Sequence, residues 1–542
     1  MVGVALGTNG WERFRIGYVA GLSHYLSMLY WLLLIPYRWH GIPVAPAVGW
    51  LALSGFLSLF SGAWVWLVAN VRGARSSATS NTSIVPARPK FFELVRSADQ
   101  SHLAGVLAKR WLCRTGWAIG AAASWVAIEM CLARIFGGFP WDLLGVSQYN
   151  LTPLLQISTL TAIYGVSFLV VWVSVSLLSA GLMLIRRPAG RSVWVGETAL
   201  PVLVVAVLFN TGLRQIRNAP EPSRTVKVAL VQPSIPQTLI WNSENDEARF
   251  QDLLELTEKA LREPADLVIW PEASVPKMLR YDTNTLAAVS GIAQRHHVWL
   301  IVGSDDAEPK LHAANPDDAD FFNSSFLISP DGEIRQRYVK RNLVIFGEYL
   351  PLQNWLPFLK YFTPIQGGFT PGTRSVAFNL RTLQLETAVL ICFEDIFPQL
   401  ARTDVDAGTD FLVNITNDGW FGDSAAQWQH ARSSVVRAIE NRVPLVRCSN
   451  NGLTCWIDDY GRMREILHDN SGSVYGPGYL LARVELPSKQ PNHHLTFYTQ
   501  HGDWFGWGCV SLTLVILGAQ LWSRRNSPAT ASADVQAPGG LA

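Results

Sequence analysis

Cys392 closes the apolar run Thr387–Ile391 and is followed by Phe393, Glu394 and Asp395. The run has the composition of a buried strand, so it delivers the thiol to a strand's C-terminal end, where α/β layers gather their reacting groups. A thiol becomes a useful nucleophile once a base or a cation draws it towards thiolate. Two upstream stretches supply such partners. Leu267–Trp270 is a second apolar strand that runs through Pro271 to the carboxylate of Glu272, and Lys340 precedes Phe346-Gly-Glu348-Tyr349. A lone cysteine after an apolar strand is usually core. A carboxylate, an ammonium and a thiol in this order suit acyl transfer through a thioester.

The elements that must position these groups begin after Arg224. Strands are expected at Val226–Gln232, Ala265–Trp270 and Val298–Val302, with a hairpin of Phe321–Ile328 and Glu333–Tyr338 around Pro330-Asp-Gly332. Further strands follow at Thr387–Cys392, Phe411–Thr416 and Leu445–Ser449. Helices fall at Glu247–Arg262, Thr283–Arg295 and Ala425–Arg442. Strands alternating with helices, plus hairpins, argue for an α/β layered domain over residues 225–486. If Asn451-Gly452 is a two-residue hairpin turn, Cys448 faces Cys455 with about 4.5–5.5 Å between Cα atoms, within disulfide reach, although the two are expected to remain thiols.

Only 16% of the residues are charged and 49% are hydrophobic, where a soluble domain carries about 25% charged residues. The deficit is uneven, which points to a membrane protein with a polar domain attached. Apolar spans are expected at Ile16–Pro36, Val48–Val71, Trp117–Ile135, Leu154–Ile185, Thr198–Leu213 and Trp504–Ser523. They define a membrane domain of about five helices over residues 12–216, holding a cytoplasmic loop at 73–110, and a C-terminal helix at 504–523. The small-residue tail 526–542 reads as disordered. No cleavable signal is recognisable near Met1, so the first span serves as an anchor.

Placing Arg13 and Arg15 in the cytoplasm puts the 72–110 loop, the Arg186–Arg191 turn and Arg524-Arg525 on that same side, as basic loops require. Residues 217–503 then lie across the membrane. Arg38 dissents. A net charge of +2 says nothing about nucleic acid, and no basic patch interleaved with aromatics suggests it. Six cysteines without a CxxC pair point away from zinc and thioredoxin-like chemistry. There is no HExxH or Walker A sequence.

Several motifs accompany these elements: Gly138-Phe-Pro-Trp141, Tyr164-Gly-Val-Ser-Phe168, Val231–Gln237, Trp270-Pro-Glu272, Phe346–Tyr349, Ile391–Glu394, Asn417–Gly422, Gln429-His430, Arg437–Asn441 and Gly502-Asp-Trp504. With them the polar domain resembles the nitrilase, or carbon-nitrogen hydrolase, superfamily, which implies a four-layer αββα sandwich and a Glu-Lys-Cys triad. The whole chain from about residue 12 to 523, spans included, is similar to the apolipoprotein N-acyltransferase family.

That resemblance implies a bacterial inner-membrane enzyme, monomeric and without cofactor, whose catalytic domain is periplasmic. Cys392 would take an acyl chain from a phospholipid as a thioester and pass it to the N-terminal amine of a diacylglyceryl-cysteine lipoprotein. Glu272 would be the general base and Lys340 the oxyanion partner, aided by a backbone N–H near Phe393. Glu348 would orient Lys340 or the amine, with Glu394 held near the nucleophile; a structural ion pair is the alternative for either. Trp241 and Trp420 match aromatics near the site, with core packing as the alternative. Asn417 and Asp418 are read as further polar residues or as turn-formers before Gly419. The apolar stretch Leu352–Phe362, followed by Gly367-Gly368, is read as a mobile lid or as a helix on the domain's core.

Departures from the family pattern are Val339, Ile345 and Phe393, where Asp, Pro and Tyr are usual, Ile240 in place of a Lys, the long 73–110 connection, and two spans fewer ahead of Trp11. A membrane-tethered amidase or hydrolase using water, and a catalytically idle lipoprotein-binding protein, are the competing readings.

Overall fold

Two six-stranded sheets face each other in the computed structural model, which describes residues 2–5, 8, 10–35, 44–70, 110–186, 194–240, 243–310, 318–351, 368–487 and 495–525. The first sheet holds β1 (Arg224–Gln232), β2 (Leu267–Ile269), β3 (Trp299–Pro309), β4 (Ala319–Ile328), β5 (Ile334–Val339) and β12 (Gly478–Leu486), in the order β12-β1-β2-β3-β4-β5. The second holds β6 (Ala377–Leu380), β7 (Leu385–Ile391), β8 (Phe411–Thr416), β9 (Leu445–Ser449), β10 (Cys455–Ile457) and β11 (Met463–Ile466), in the order β11-β10-β9-β8-β7-β6. In each sheet three central strands run parallel, β1-β2-β3 and β7-β8-β9. Their ends therefore point the same way within a sheet, and strand-end residues can converge.

Alternation sorts the side chains into layers. Val228, Leu230, Leu267 and Ile269 meet Val389, Ile391, Val413 and Ile415 between the sheets. Helices Asp246–Ala260 and Thr283–His296 cover the outer face of the first sheet through Phe250, Leu253, Val289 and Ile292. Helix Ala426–Asn441 covers the second. The architecture is an αββα sandwich joined to a helical membrane domain.

Among the described residues five helices are long and apolar enough to cross a membrane: Ala45–Ala69, Trp111–Leu132, Ile163–Ile185, Val195–Arg217 and Trp504–Trp522. Helix Gly10–Met28, which is not one of these five, packs along Ala45–Ala69. Gly17 and Gly21 allow that approach, because a Cβ on either would sit 2.7 Å from Ser61 atoms; this is small-residue packing as membrane helices use it.

Two expected spans are corrected. The run Ile16–Pro36 is not one helix, since it ends at Met28 and turns through Tyr30–Leu34. The turn buries Trp31 against Trp141 and Phe421, at 5.0 and 4.4 Å between ring centroids. The run Leu154–Ile185 is broken at Ala162, whose φ is +54°; short turns at Thr152–Leu155 and Ser158–Thr161 precede helix Ile163–Arg186. The break places the amide of Ile163 on the Glu440 carboxylate, 2.8 Å away, an anion at a helix N-terminus.

The Cys448–Cys455 pairing is also overturned. Cys455 pairs with Arg447, one residue out of the expected register, and such a slip sends side chains to opposite faces. Cys448 lies in the core between the sheets and Cys455 in the core outside them, both as free thiols. The wider turn follows from Ser449, whose amide donates to Thr454 Oγ1 at 3.0 Å.

Helix Ala426–Asn441 joins the sandwich to the membrane helices. Its Ala431, Val435 and Ile439 share one core with Val126, Met130, Ile163 and Tyr164. Gln429 Oε1 accepts from the indoles of both Trp31 and Trp141, each at 2.9 Å. Its Nε2 donates to the Met28 carbonyl at 3.2 Å. Gln429→Ala strands two buried indole N–H groups and should destabilise the protein by roughly 2–4 kcal/mol. Gln429→Glu, which keeps an acceptor, should cost less; thermal melting in detergent checks both.

Candidate active site

Three strand ends meet at the site. Glu272 follows β2, Lys340 follows β5 and Cys392 follows β7. Gly303 on β3 permits the turn that carries Glu272, since a Cβ there would lie 2.3 Å from the Pro271 carbonyl oxygen. Cys392 has φ +55°, a sharp exit from the strand that turns the next residues into the helical turn Cys392–Ile396. Asn414 Nδ2 holds the Cys392 carbonyl at 2.9 Å.

Lys340 Nζ donates to Glu272 Oε1 at 3.0 Å and to Glu348 Oε1 at 2.9 Å. Asn323 Nδ2 donates to the same two oxygens, each at 2.8 Å. Two donors alternate with two acceptors, and the carboxylates cannot rotate away from Lys340. Glu272 Oε2 is buried and has no hydrogen-bond partner among the described residues. One oxygen of this glutamate is fixed and the other is free to accept a proton.

The electrostatics follow from that arrangement. Burial pulls Lys340 down, yet Glu272 and Glu348 outweigh it and leave the ammonium well above its ordinary value. Burial, and then the charge of Glu272, push the Cys392 thiol well up, while Lys340 and a hydrogen bond with Thr416 pull against them. At neutral pH the site holds a thiol, not a thiolate. A thiol beside an unpartnered carboxylate oxygen and a permanent cation can be deprotonated as it attacks, with the cation taking the oxyanion.

The remaining expected residues divide. Glu348 joins the site, and its Oε2 also accepts from the Val344 amide at 2.8 Å. Glu394 turns away as a structural clamp. It accepts from Ile391 N (2.7 Å), Tyr338 OH (2.9 Å), Arg341 N (2.7 Å) and Asn342 N (3.1 Å), tying the end of β7 to the loop after Lys340. Burial still lifts it to about 7. The Phe393 ring lies 5.5 Å from Lys340 Nζ and edge-on to Phe397. Trp420 sits half-buried in the turn Asp418–Phe421. Trp241 and the stretch 352–367, with the lid reading of Leu352–Phe362, lie outside the described residues.

Asn417 is a turn-former, its Oδ1 accepting from Gly419 N at 3.1 Å. Asp418 is not. It belongs to a buried lattice in which His430 bridges Asp418 (Nδ1, 2.7 Å) and Asp395 (Nε2, 2.8 Å), while Arg447 reaches both carboxylates at 2.9 Å. Two cations and two anions balance there without solvent, and Asp395 anchors the turn that begins with Cys392. Asn323 and this lattice were missed in sequence. A signal existed for Asn323, an amide in the middle of strand β4, where Asn is depleted.

Cys392 packs against two cores. One is the inter-sheet core; the other is an apolar cluster of Leu29, Trp31, Leu57, Leu132, Trp141, Phe393 and Phe397. Five of those residues come from the membrane domain.

Residues 227–479 match the carbon-nitrogen hydrolase family, and residues 2–176 match the apolipoprotein N-acyltransferase N-terminal domain. A protein of Geobacter metallireducens called apolipoprotein N-acyltransferase is 33% identical over 519 residues, 95% of this chain and 88% of that one. Proteins with the same name from Rickettsia prowazekii and Brucella melitensis are 29% and 30% identical over 92% and 89% of this chain, and 87% of each relative.

The lattice sets a pH dependence. Burial lowers His430, but Asp395 and Asp418 outweigh both burial and Arg447 and raise it from 6.5 to about 9. A value raised on folding means stability that is full below pH 6.5, declines as pH rises, and is lost above about 9. The span corresponds to roughly 3 kcal/mol. Denaturation in detergent from pH 6 to 9 should show this fall, and His430→Gln should flatten it.

Proposed function

Because the chain belongs to the apolipoprotein N-acyltransferase family, we propose that it moves a fatty acyl chain from a membrane phospholipid to the N-terminal amine of a diacylglyceryl-cysteine lipoprotein, with Glu272, Lys340 and Cys392 as its catalytic residues. The observation that carries this reading is the position of Cys392 at the seam between the sandwich core and the apolar cluster built partly from membrane helices. An ester bond near the bilayer surface can reach the thiol there while its acyl chain stays among apolar side chains.

In the first half-reaction Glu272 Oε2 takes the thiol proton as Cys392 Sγ bonds to the ester carbonyl carbon. Lys340 balances the oxyanion of the tetrahedral intermediate. The C–O bond breaks, Glu272 returns its proton to the leaving alkoxide, and a lysophospholipid departs from the thioester. In the second half the lipoprotein amine, as free base, attacks the thioester carbonyl. Glu272 accepts the amine's proton and passes it to the departing sulfur, leaving an amide and a thiol. Glu348 and Asn323 hold Lys340 and Glu272 in place throughout. The basic loops support a catalytic domain on the periplasmic side of the inner membrane.

Intact mass of the purified protein after incubation with phosphatidylethanolamine tests the reading. Wild type should gain an acyl-sized mass that hydroxylamine removes, and Cys392→Ala should gain none. Lysophospholipid release without any adduct would instead mark a hydrolase that turns its thioester over with water. Neither adduct nor lysophospholipid would overturn both readings.

A further inference from the structure

Away from Cys392, helix Val195–Arg217 changes character in its last turns. Thr211, Arg214, Gln215 and Asn218 stand at i, i+3, i+4 and i+7, a single polar stripe at the end of an apolar membrane-crossing helix. None of the four side chains donates or accepts a hydrogen bond among the described residues. Arg214 also lies where the proposed orientation disfavours positive charge, since it ends a span on the side opposite the basic loops.

The stripe faces a second cation. With Arg442 and Tyr460 of the sandwich it lines a cavity of about 420 Å³. Arg442 takes a left-handed conformation, φ +55°, at the C-terminal end of helix Ala426–Asn441, a place that glycine ordinarily fills. Its guanidinium lies 4.3 Å from the Tyr460 ring centroid. Its Nη1 donates to two neutral acceptors, Gln156 Oε1 at 2.7 Å and the Asp459 carbonyl at 3.1 Å, and its Nη2 has no hydrogen-bond partner among the described residues.

The charge balance at Arg442 differs from that at Arg280, Arg341 and Arg447. Carboxylates raise Arg280, Arg341 and Arg447 above the ordinary value. Arg442 instead falls below it, because burial outweighs Asp459, Tyr460 and Asp458. Asp458 is itself engaged by Arg462 at 2.6 Å. The incompletely compensated guanidinium of Arg442, the exposed guanidinium of Arg214 and a row of amide and hydroxyl groups thus open at the end of a membrane-crossing helix. The anion found at that level is the phosphodiester of a lipid.

We propose that this cavity binds the phosphodiester headgroup of a phospholipid in the leaflet facing the sandwich, at a site separate from the acyl donor's. About 18 Å of helix separates Arg442 from His430, the residue beside the Cys392 turn. The bound lipid pins the sandwich to the bilayer through Arg442 and the Gln156 segment, and it undergoes no chemistry there. The assignment stands whether or not Cys392 forms a thioester, because a retained whole lipid and a covalent acyl group differ in mass.

The test is native mass spectrometry of the full chain in detergent, with dioleoylphosphatidylglycerol, diolein and inorganic phosphate as separate probes. Wild type should hold one more phosphatidylglycerol than Arg214→Gln/Arg442→Gln, whose affinity should fall at least about tenfold, the loss expected for charge-assisted hydrogen bonds. Diolein, lacking the phosphate, should not distinguish the two. Arg214→Gln alone touches no internal hydrogen bond, so it should melt like wild type and still bind the lipid more weakly. Equal phosphatidylglycerol binding by wild type and this well-folded variant would overturn the proposal. Displacement of the lipid by millimolar phosphate would also overturn it, and would assign the cavity to a soluble anion.

Discussion

Two sets of charges at the centre of this protein are taken out of water, and within each set every charge is met by another in fixed geometry. Lys340 is 1% exposed and lies between two carboxylates. His430 and Arg447 lie between two more. Removing one member of either set leaves a buried charge without its counterpart, so the sets resist piecemeal change. They also divide the labour. The lysine set lies beside the Cys392 thiol, while the histidine–arginine set fixes the turn on which that thiol is carried.

The second set transmits that fixity outward. His430, Ser434 and Arg437 sit on helix Ala426–Asn441 and hold Asp395 and the Ile396 carbonyl. The same helix offers Gln429 to two indoles of the membrane domain and Glu440 to the start of helix Ile163–Arg186. One amphipathic helix thus bonds to the Cys392–Ile396 turn on one side and to the membrane domain on the other.

The sequence was most informative where one residue type at a strand end carries the meaning. The apolar runs before Glu272 and Cys392 locate both residues, because burial on two faces leaves a composition that can be read directly. Hydropathy failed at backbone breaks, which change no side-chain character: nothing in the uncharged stretch around Ala162 marks its positive φ. It failed too at Tyr30–Leu34, where the chain leaves the helix to bury Trp31 against Trp141 and Phe421 while Tyr30, Leu33 and Leu34 stay exposed. The β9–β10 register was illegible because the asparagines of the turn are used elsewhere. Asn450 donates to the Ile235 carbonyl and Asn451 to Ser234 Oγ. Gln429 and Asn323 matter through partners hundreds or tens of residues away, and a single chain of letters carries no record of that distance.

The shared core under helix Ala426–Asn441 has one further consequence. In a free-standing αββα sandwich the outer helix layer meets water or another subunit. Here Val126, Met130, Ile163 and Cys509 of the membrane domain close over it. The sandwich is consequently not a tethered globule that samples heights above the bilayer, but a cap seated on its own transmembrane base. Side-chain packing thus fixes where Cys392 stands relative to the membrane-crossing helices.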